Sequence, residues 1–148
     1  MLNDIDSIRR IIVLYGQLLD DGRFEEWGGL FTDDAYFLSV PSGHLPPGAE
    51  AGFRGRQTIV EQVGRKVNGQ RGKVHFGGHP VIDIDGHSAY AWWDFIVVQA
   101  SETGNPTTHA GRYYAKFRKE NGAWRYSERI SVRAGEPRPD FVTPVPGA

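Results

Sequence analysis

A chain of 148 residues falls within the range of a single domain, so one compact core is expected. Its 39% hydrophobic content, with 4 Trp, 6 Tyr and 8 Phe, argues against wholesale disorder. Lys and Arg number 17 against 18 Asp and Glu; this net charge of −1 lacks the basic excess that phosphate-backbone binding rests on, so no nucleic-acid partner is expected. With no Cys, the chain can form neither disulfides nor thiolate metal sites.

The first predicted element spans Asp4 to Leu19, where Ile5, Ile8, Ile11, Ile12, Tyr15 and Leu19 form one apolar stripe at helical spacing. Asp4 and Asp6 sit where acidic residues favour a helix N-terminus, and Gly22 punctuates the end. Phe24 to Phe31 reads as a short second helix and Ala35 to Val40 as a strand. The Pro- and Gly-rich stretch 41–54 is long for a structureless loop and has the character of a lid. A third helix is expected over Gln57 to Val67. From Lys73 the period changes to two, with strands near Lys73–Ile84, Ser88–Ala100, Thr107–Lys119 and Ala123–Arg133. Asp85-Gly86, Gly104-Asn105-Pro106 and Asn121-Gly122 are turn signals between them. The tail from Gly135 carries four prolines and is expected to be extended or disordered, leaving residues 1–134 as the domain and 135–148 as a tail.

Helices followed by an antiparallel meander predict an α+β fold: a cone-shaped barrel in which a curved, mostly antiparallel sheet wraps three N-terminal helices and encloses an apolar pocket. Alternation along Thr107–Lys119 puts His109, Gly111, Tyr113, Ala115 and Phe117 on one face, so His109 and Tyr113 are expected to look into the cone. Tyr15 and Asp20 lie five residues apart, about 140° around an ideal helix, and Asp20 occupies a C-terminal turn that the helix dipole disfavours for an acid. His75 and His79 sit roughly 13 Å apart along a strand, too far for one ion, so no metal is expected. There is no G-x-S-x-G elbow, phosphate loop or dinucleotide fingerprint. Carboxylate and imidazole chemistry in an aromatic pocket, with no cofactor, is what remains.

The segment YGQLLDDGRFEEWGGLFTDDAYF (Tyr15–Phe37) resembles the opening of SnoaL-like proteins of the nuclear transport factor 2-like superfamily. Phe53–Gly55, Val74-His75-Phe76-Gly77, Asp83-Ile84-Asp85-Gly86 and Gly122-Ala123-Trp124 leading to Arg129 carry the likeness further. Its functional analogues are scytalone dehydratase, bile acid dehydratase and dehydrochlorinase, which eliminate water or chloride with an Asp–His pair. By motif, the resemblance implies catalytic roles for Asp20 and His75, with Tyr15 and Arg129 assisting and Tyr36 near the substrate. A further His of scytalone dehydratase has no counterpart in Phe95–Gln99, and His109 one strand later is the candidate substitute. Asp94 is the residue that could serve the carboxylate schemes of ketosteroid isomerase or limonene epoxide hydrolase. Trp92 or Trp93, whichever faces inward, together with Tyr113 and Phe53, is expected to line a cavity for a ring substrate such as a polyketide, steroid or terpenoid.

Leu18 to Trp27 (LLDDGRFEEW) also resembles the small, non-catalytic subunit of ring-hydroxylating dioxygenases, so a scaffolding or ligand-binding role is the alternative. On the last strand, the Trp124 parity should face the core while the resemblance wants Arg129 at the cavity. Both hold only if a bulge shifts the register between them. Outward Tyr114 and one of Trp92 and Trp93 would leave an aromatic exterior, which predicts a homodimer or homotrimer packed through the outer sheet face. No apolar run approaches 18 residues, and MLNDIDSIRR lacks the apolar core of a signal peptide. A soluble, cytoplasmic protein without a membrane partner is expected.

Overall fold

A computed structural model describes residues 1–41, 51–68, 72–101 and 103–145. Helix α1 (Asp4–Asp20) opens on Asn3, whose side chain accepts a hydrogen bond from the Asp6 N–H at 2.8 Å. The Asp4 carboxylate accepts from Lys119 Nζ and Trp124 Nε1, each at 2.9 Å, tying the start of α1 to the far end of the sheet. The short α2 (Phe24–Gly28) ends earlier than the apolar spacing suggests, because Gly28-Gly29 interrupts it and Phe31 already belongs to strand β1 (Phe31–Val40). After β2 (Phe53–Arg54), α3 (Arg56–Ile59) runs on through a π-helical turn (Val60–Arg65) into α4 (Lys66–Asn68).

The predicted strand over Lys73–Ile84 is two strands, β3 (Lys73–Gly77) and β4 (Val81–Asp85), separated at Gly78-His79-Pro80, where Pro80 can donate no ladder hydrogen bond. Both pair antiparallel with β5 (Ser88–Gln99). Strands β6 (Thr107–Glu120) and β7 (Ala123–Arg133) complete the meander, joined by Asn121-Gly122 with positive φ at both residues, as a two-residue hairpin turn requires. The sheet runs β2-β1-β7-β6-β5-β3, antiparallel except for the parallel β1–β7 pair, and it curves around the helices without closing.

Alternation builds two apolar layers. Inside, Trp93, Phe95 and Val97 of β5 and Tyr113, Ala115 and Phe117 of β6 pack on Ile8, Tyr15 and Leu19 of α1. Outside, Tyr36, Leu38, Trp92, Tyr114, Ile130 and Val132 form a second cluster closed by Val142, which is 1% exposed. The tail, expected to be extended or disordered, is therefore anchored by packing through Val142. The Tyr90 hydroxyl donates to the Thr143 carbonyl at 2.5 Å, and Arg138 donates to the Val142 carbonyl. The outer aromatics Trp92 and Tyr114 are thus covered in part by the chain's own tail, while Phe76 and Ile96 stay exposed. The lid expected at 41–54 lies largely outside the described residues. Among the described residues, no helix is long and apolar enough to cross a membrane.

Candidate active site

Strand β7 decides the site. Its partner positions on β6 step from Phe117↔Tyr126 to Lys116↔Glu128, so Ser127 is an extra residue in the ladder. Before the bulge, Trp124 and Tyr126 face the core. After it, Ile130 and Val132 face outward and Arg129 turns inward, 2% exposed. Both requirements on this strand are met by the bulge that reconciles them.

The Arg129 guanidinium lies 3.5 Å from the Tyr15 ring centroid and 3.8 Å from that of Tyr113. Cation–π contact stabilises a cation out of water, and the guanidinium stays charged. Its Nε makes no hydrogen bond among the described residues. Tyr15 also packs edge-on against Trp27 (5.4 Å), Tyr126 (5.8 Å) and His75 (6.3 Å). Burial pushes the Tyr15 hydroxyl well above its ordinary acidity range, with the Arg129 charge opposing, so it remains a proton donor at neutral pH.

Across from this stack, Asp20 at the end of α1 meets His75 of β3. Asp20 Oδ1 lies 2.5 Å from His75 Nδ1, and Oδ2 accepts from the His75 backbone N–H at 2.9 Å. A carboxylate only accepts, so Nδ1 carries the imidazole proton and Nε2 is left with a free lone pair. The two side chains are 17% and 13% exposed. Burial lowers the pKa of His75 below its usual 6.5; Asp20 opposes the shift, while the Arg129 and Lys73 charges add to it. The imidazole is neutral at pH 7 and competent as a base.

A cavity of about 650 Å³ opens beside this group, lined by Ile12, Tyr15, His75, Trp93, Tyr113 and Arg129, with Arg9 and His79 also on its wall. A smaller cavity of about 270 Å³ shares Tyr15, His75, Tyr113 and Arg129 and reaches His109, which is partly buried beside Phe95. Of the expected site residues, Asp20, His75, Tyr15, Arg129, Trp93 and Tyr113 come together, and His109 stands at the smaller cavity.

Four others do not. Tyr36 faces outward, where its hydroxyl donates to the Ala51 carbonyl at 2.5 Å; strand alternation turns Phe37 inward in its place. Trp92 is likewise on the outer face, beside Tyr90, because Trp93 takes the inward parity. Phe53 pairs with Phe37 and packs at the edge of the inner core, outside both cavities. Asp94 is exposed and held by Arg112 Nε at 2.7 Å, away from either cavity. Gly16 and Gly77 were missed: both are close-approach points, and Gly77 leaves room for the Trp93 indole, 3.1 Å from where a Cβ would stand. The helical run Tyr15-Gly16 one turn before Asp20 was the available signal.

The SnoaL-like domain family profile matches residues 1–130. No curated protein sequence matches the chain. Among solved structures, an NTF2-like protein with a cystatin-like fold from Novosphingobium aromaticivorans superposes with a TM-score of 0.74 at 23% identity, covering 89% of this chain and 82% of that one. A candidate scytalone dehydratase from the same organism gives 0.73 at 19% identity, covering 98% and 95%. The β subunit of a candidate aromatic-ring-hydroxylating dioxygenase, also from that organism, gives 0.71 at 23% identity and covers 95% of each chain. Likeness at these identities speaks for the fold.

Proposed function

Because this chain belongs to the SnoaL-like domain family and holds a mostly buried Asp20–His75 pair beside an aromatic cavity, we propose that it is an enzyme, a dehydratase-like lyase or an isomerase acting on a small hydrophobic cyclic substrate without a cofactor. The observation that carries this reading is the hold of Asp20 on His75, at Nδ1 and at the backbone N–H together. It fixes the ring orientation and tautomer and leaves Nε2 as the base.

His75 Nε2 takes a proton from the carbon beside a carbonyl, and the C–H electrons move into the carbonyl as an enolate. Asp20 stabilises the resulting imidazolium. The enolate oxygen gathers charge beside the buried Arg129 cation and the Tyr15 hydroxyl, which act in a water-poor site where such interactions are strongest. From the enolate, a β-hydroxyl leaves as water with the proton returned by His75; where the substrate carries a β,γ C=C bond, the enolate is a dienolate and the proton returns to its γ-carbon. The first is a dehydration and the second an isomerisation. Tyr113 and Trp93 supply flat apolar walls for a ring.

The test is turnover of hydroxylated cyclic ketones by the wild type, His75→Ala and Asp20→Asn. Loss of a positioned base removes roughly 10²- to 10⁴-fold in rate. Full activity in His75→Ala would sink the scheme. The non-catalytic alternative, a subunit of a ring-hydroxylating dioxygenase, is favoured by the 95% two-way coverage of such a β subunit. It predicts no turnover and co-purification with a larger iron–sulfur chain.

A further inference from the structure

The bulge that turns Arg129 inward also sets the parity of every later residue on β7, so Ser131 and Arg133 line the smaller cavity. Lys73, the inward residue two before His75 on β3, and His109 on β6 stand on the same cavity wall. Among the described residues no carboxylate lines this cavity, and none lies within ion-pair distance of Lys73, Arg129 or Arg133. Lys73 Nζ is held by neutral acceptors instead, the Asn68 side-chain oxygen at 3.2 Å and the Val67 carbonyl at 3.3 Å. The nearby Asp20 is already engaged by His75. Two permanently charged arginines and Lys73, whose pKa burial lowers, thus converge on one cavity in a chain whose net charge is −1, and Arg129 is 2% exposed with an unpaired Nε.

Cations crowded without counter-ions in a partly desolvated space cost free energy that an incoming anion relieves. From this arrangement we infer that the substrate of the proposed reaction is itself an anion, carrying a carboxylate that seats in the smaller cavity among Lys73, His109 and Arg133. The inference rests on the reading of His75 as the base, because it places the carboxylate one cavity away from the carbon being deprotonated. Phe37, Phe95 and Val97 make part of the remaining wall apolar, beside the polar Ser39 and Ser131, and the space is small. Both features suit a carboxylate joined to a hydrocarbon ring, and the sequence offers no glycine-rich loop to cradle a phosphate. His109 fits the same picture: burial lowers its pKa, and the Arg133 and Lys73 charges lower it further, a field that a bound anion reverses.

The experiment is isothermal titration of 2-naphthoate and of its neutral isostere 2-naphthamide into the wild type, His75→Ala, Lys73→Met and Arg133→Gln. Wild type and His75→Ala are expected to bind the carboxylate at least about tenfold more tightly than the amide, the usual worth of a charge-assisted contact. Arg133→Gln and Lys73→Met are expected to lose most of that preference while leaving the amide affinity unchanged. Arg133 is exposed, so its variant carries the test even if the Lys73 change weakens folding. Equal affinity for the two probes, no binding of 2-naphthoate, or a preference that survives Arg133→Gln overturns the inference. Because the readout is binding in a variant without the base, it stands or falls separately from turnover.

Discussion

The backbone of Gly16 lies directly against His75: a Cβ there would stand 3.1 Å from the His75 Cβ and 3.2 Å from its carbonyl oxygen. That contact brings α1 close enough to β3 for Asp20, one helical turn further on, to reach both Nδ1 and the backbone N–H of His75. Gly16→Ala is expected to push the helix off the strand by a few tenths of an ångström and loosen the pair. Overpacking of this kind costs about 1–3 kcal/mol, read by urea unfolding. Turnover should fall about tenfold, since even 1 Å of misplacement can cost roughly 10²-fold. A variant with wild-type rate would show that the approach of α1 does not set the geometry of the pair.

The pH profile has a defined sign. The base must be neutral, and burial holds His75 below 6.5, so the acid limb of kcat/KM is expected below pH 6.5. Asp20→Asn removes the group that raises the His75 pKa, so the limb should move to still lower pH as the rate falls. The same shift enters stability: in the window below 6.5 the unfolded chain binds more protons at this site than the folded one. The stabilisation is therefore complete above pH 6.5 and is lost as pH falls through the depressed value. Urea unfolding across pH 4.5–7.5 checks this, with His75→Gln as the flat reference.

Arg129 is a buried cation with no ion-pair partner among the described residues, held by two tyrosine rings. Arg129→Met keeps much of the volume and removes the charge, so stability should hold or rise, as replacing buried ions by apolar groups often does. Activity should fall by about 10² or more, the scale of losing one group that stabilises transition-state charge. Arg129→Lys should recover little, because an ammonium lacks the flat guanidinium that stacks between Tyr15 and Tyr113. A stability loss with unchanged rate in Arg129→Met would assign the residue to packing alone.

The tail is structural where it meets the sheet. Val142→Ala deletes buried methyl groups from the outer cluster and is expected to cost about 1.6 kcal/mol, taking about 0.8 kcal/mol per group. Removing residues 135–148 uncovers Trp92, Tyr114 and Ile130 together, an apolar patch of the kind that drives association. Light scattering should then show larger species than the full chain forms, while the Asp20–His75 pair, on the other side of the sheet, keeps its pH profile. An unchanged mass would show that the tail does not shield this face.

The sequence by itself determined what depends on local period and turn chemistry. The stripe from Ile8 to Leu19 had to bury one face of a helix, Asn121-Gly122 had to make a tight hairpin, and Tyr113, Ala115 and Phe117 had to share the inner face of β6. The family resemblance named Asp20, His75, Tyr15 and Arg129 together, and the fold places them side by side. Only the tertiary structure decided which parity each strand shows to the cone. Two-residue alternation leaves Trp92 against Trp93 and Tyr36 against Phe37 undetermined until a neighbouring strand sets the register. On β7 alternation misleads outright after Ser127, because one extra residue exchanges inside for outside and carries Arg129 and Arg133 to the cavities while sending Ile130 and Val132 to the tail. The meeting of Asp20 with His75 spans 55 positions of chain and depends on how closely α1 lies on β3, a distance set by packing at Gly16 that no local pattern encodes.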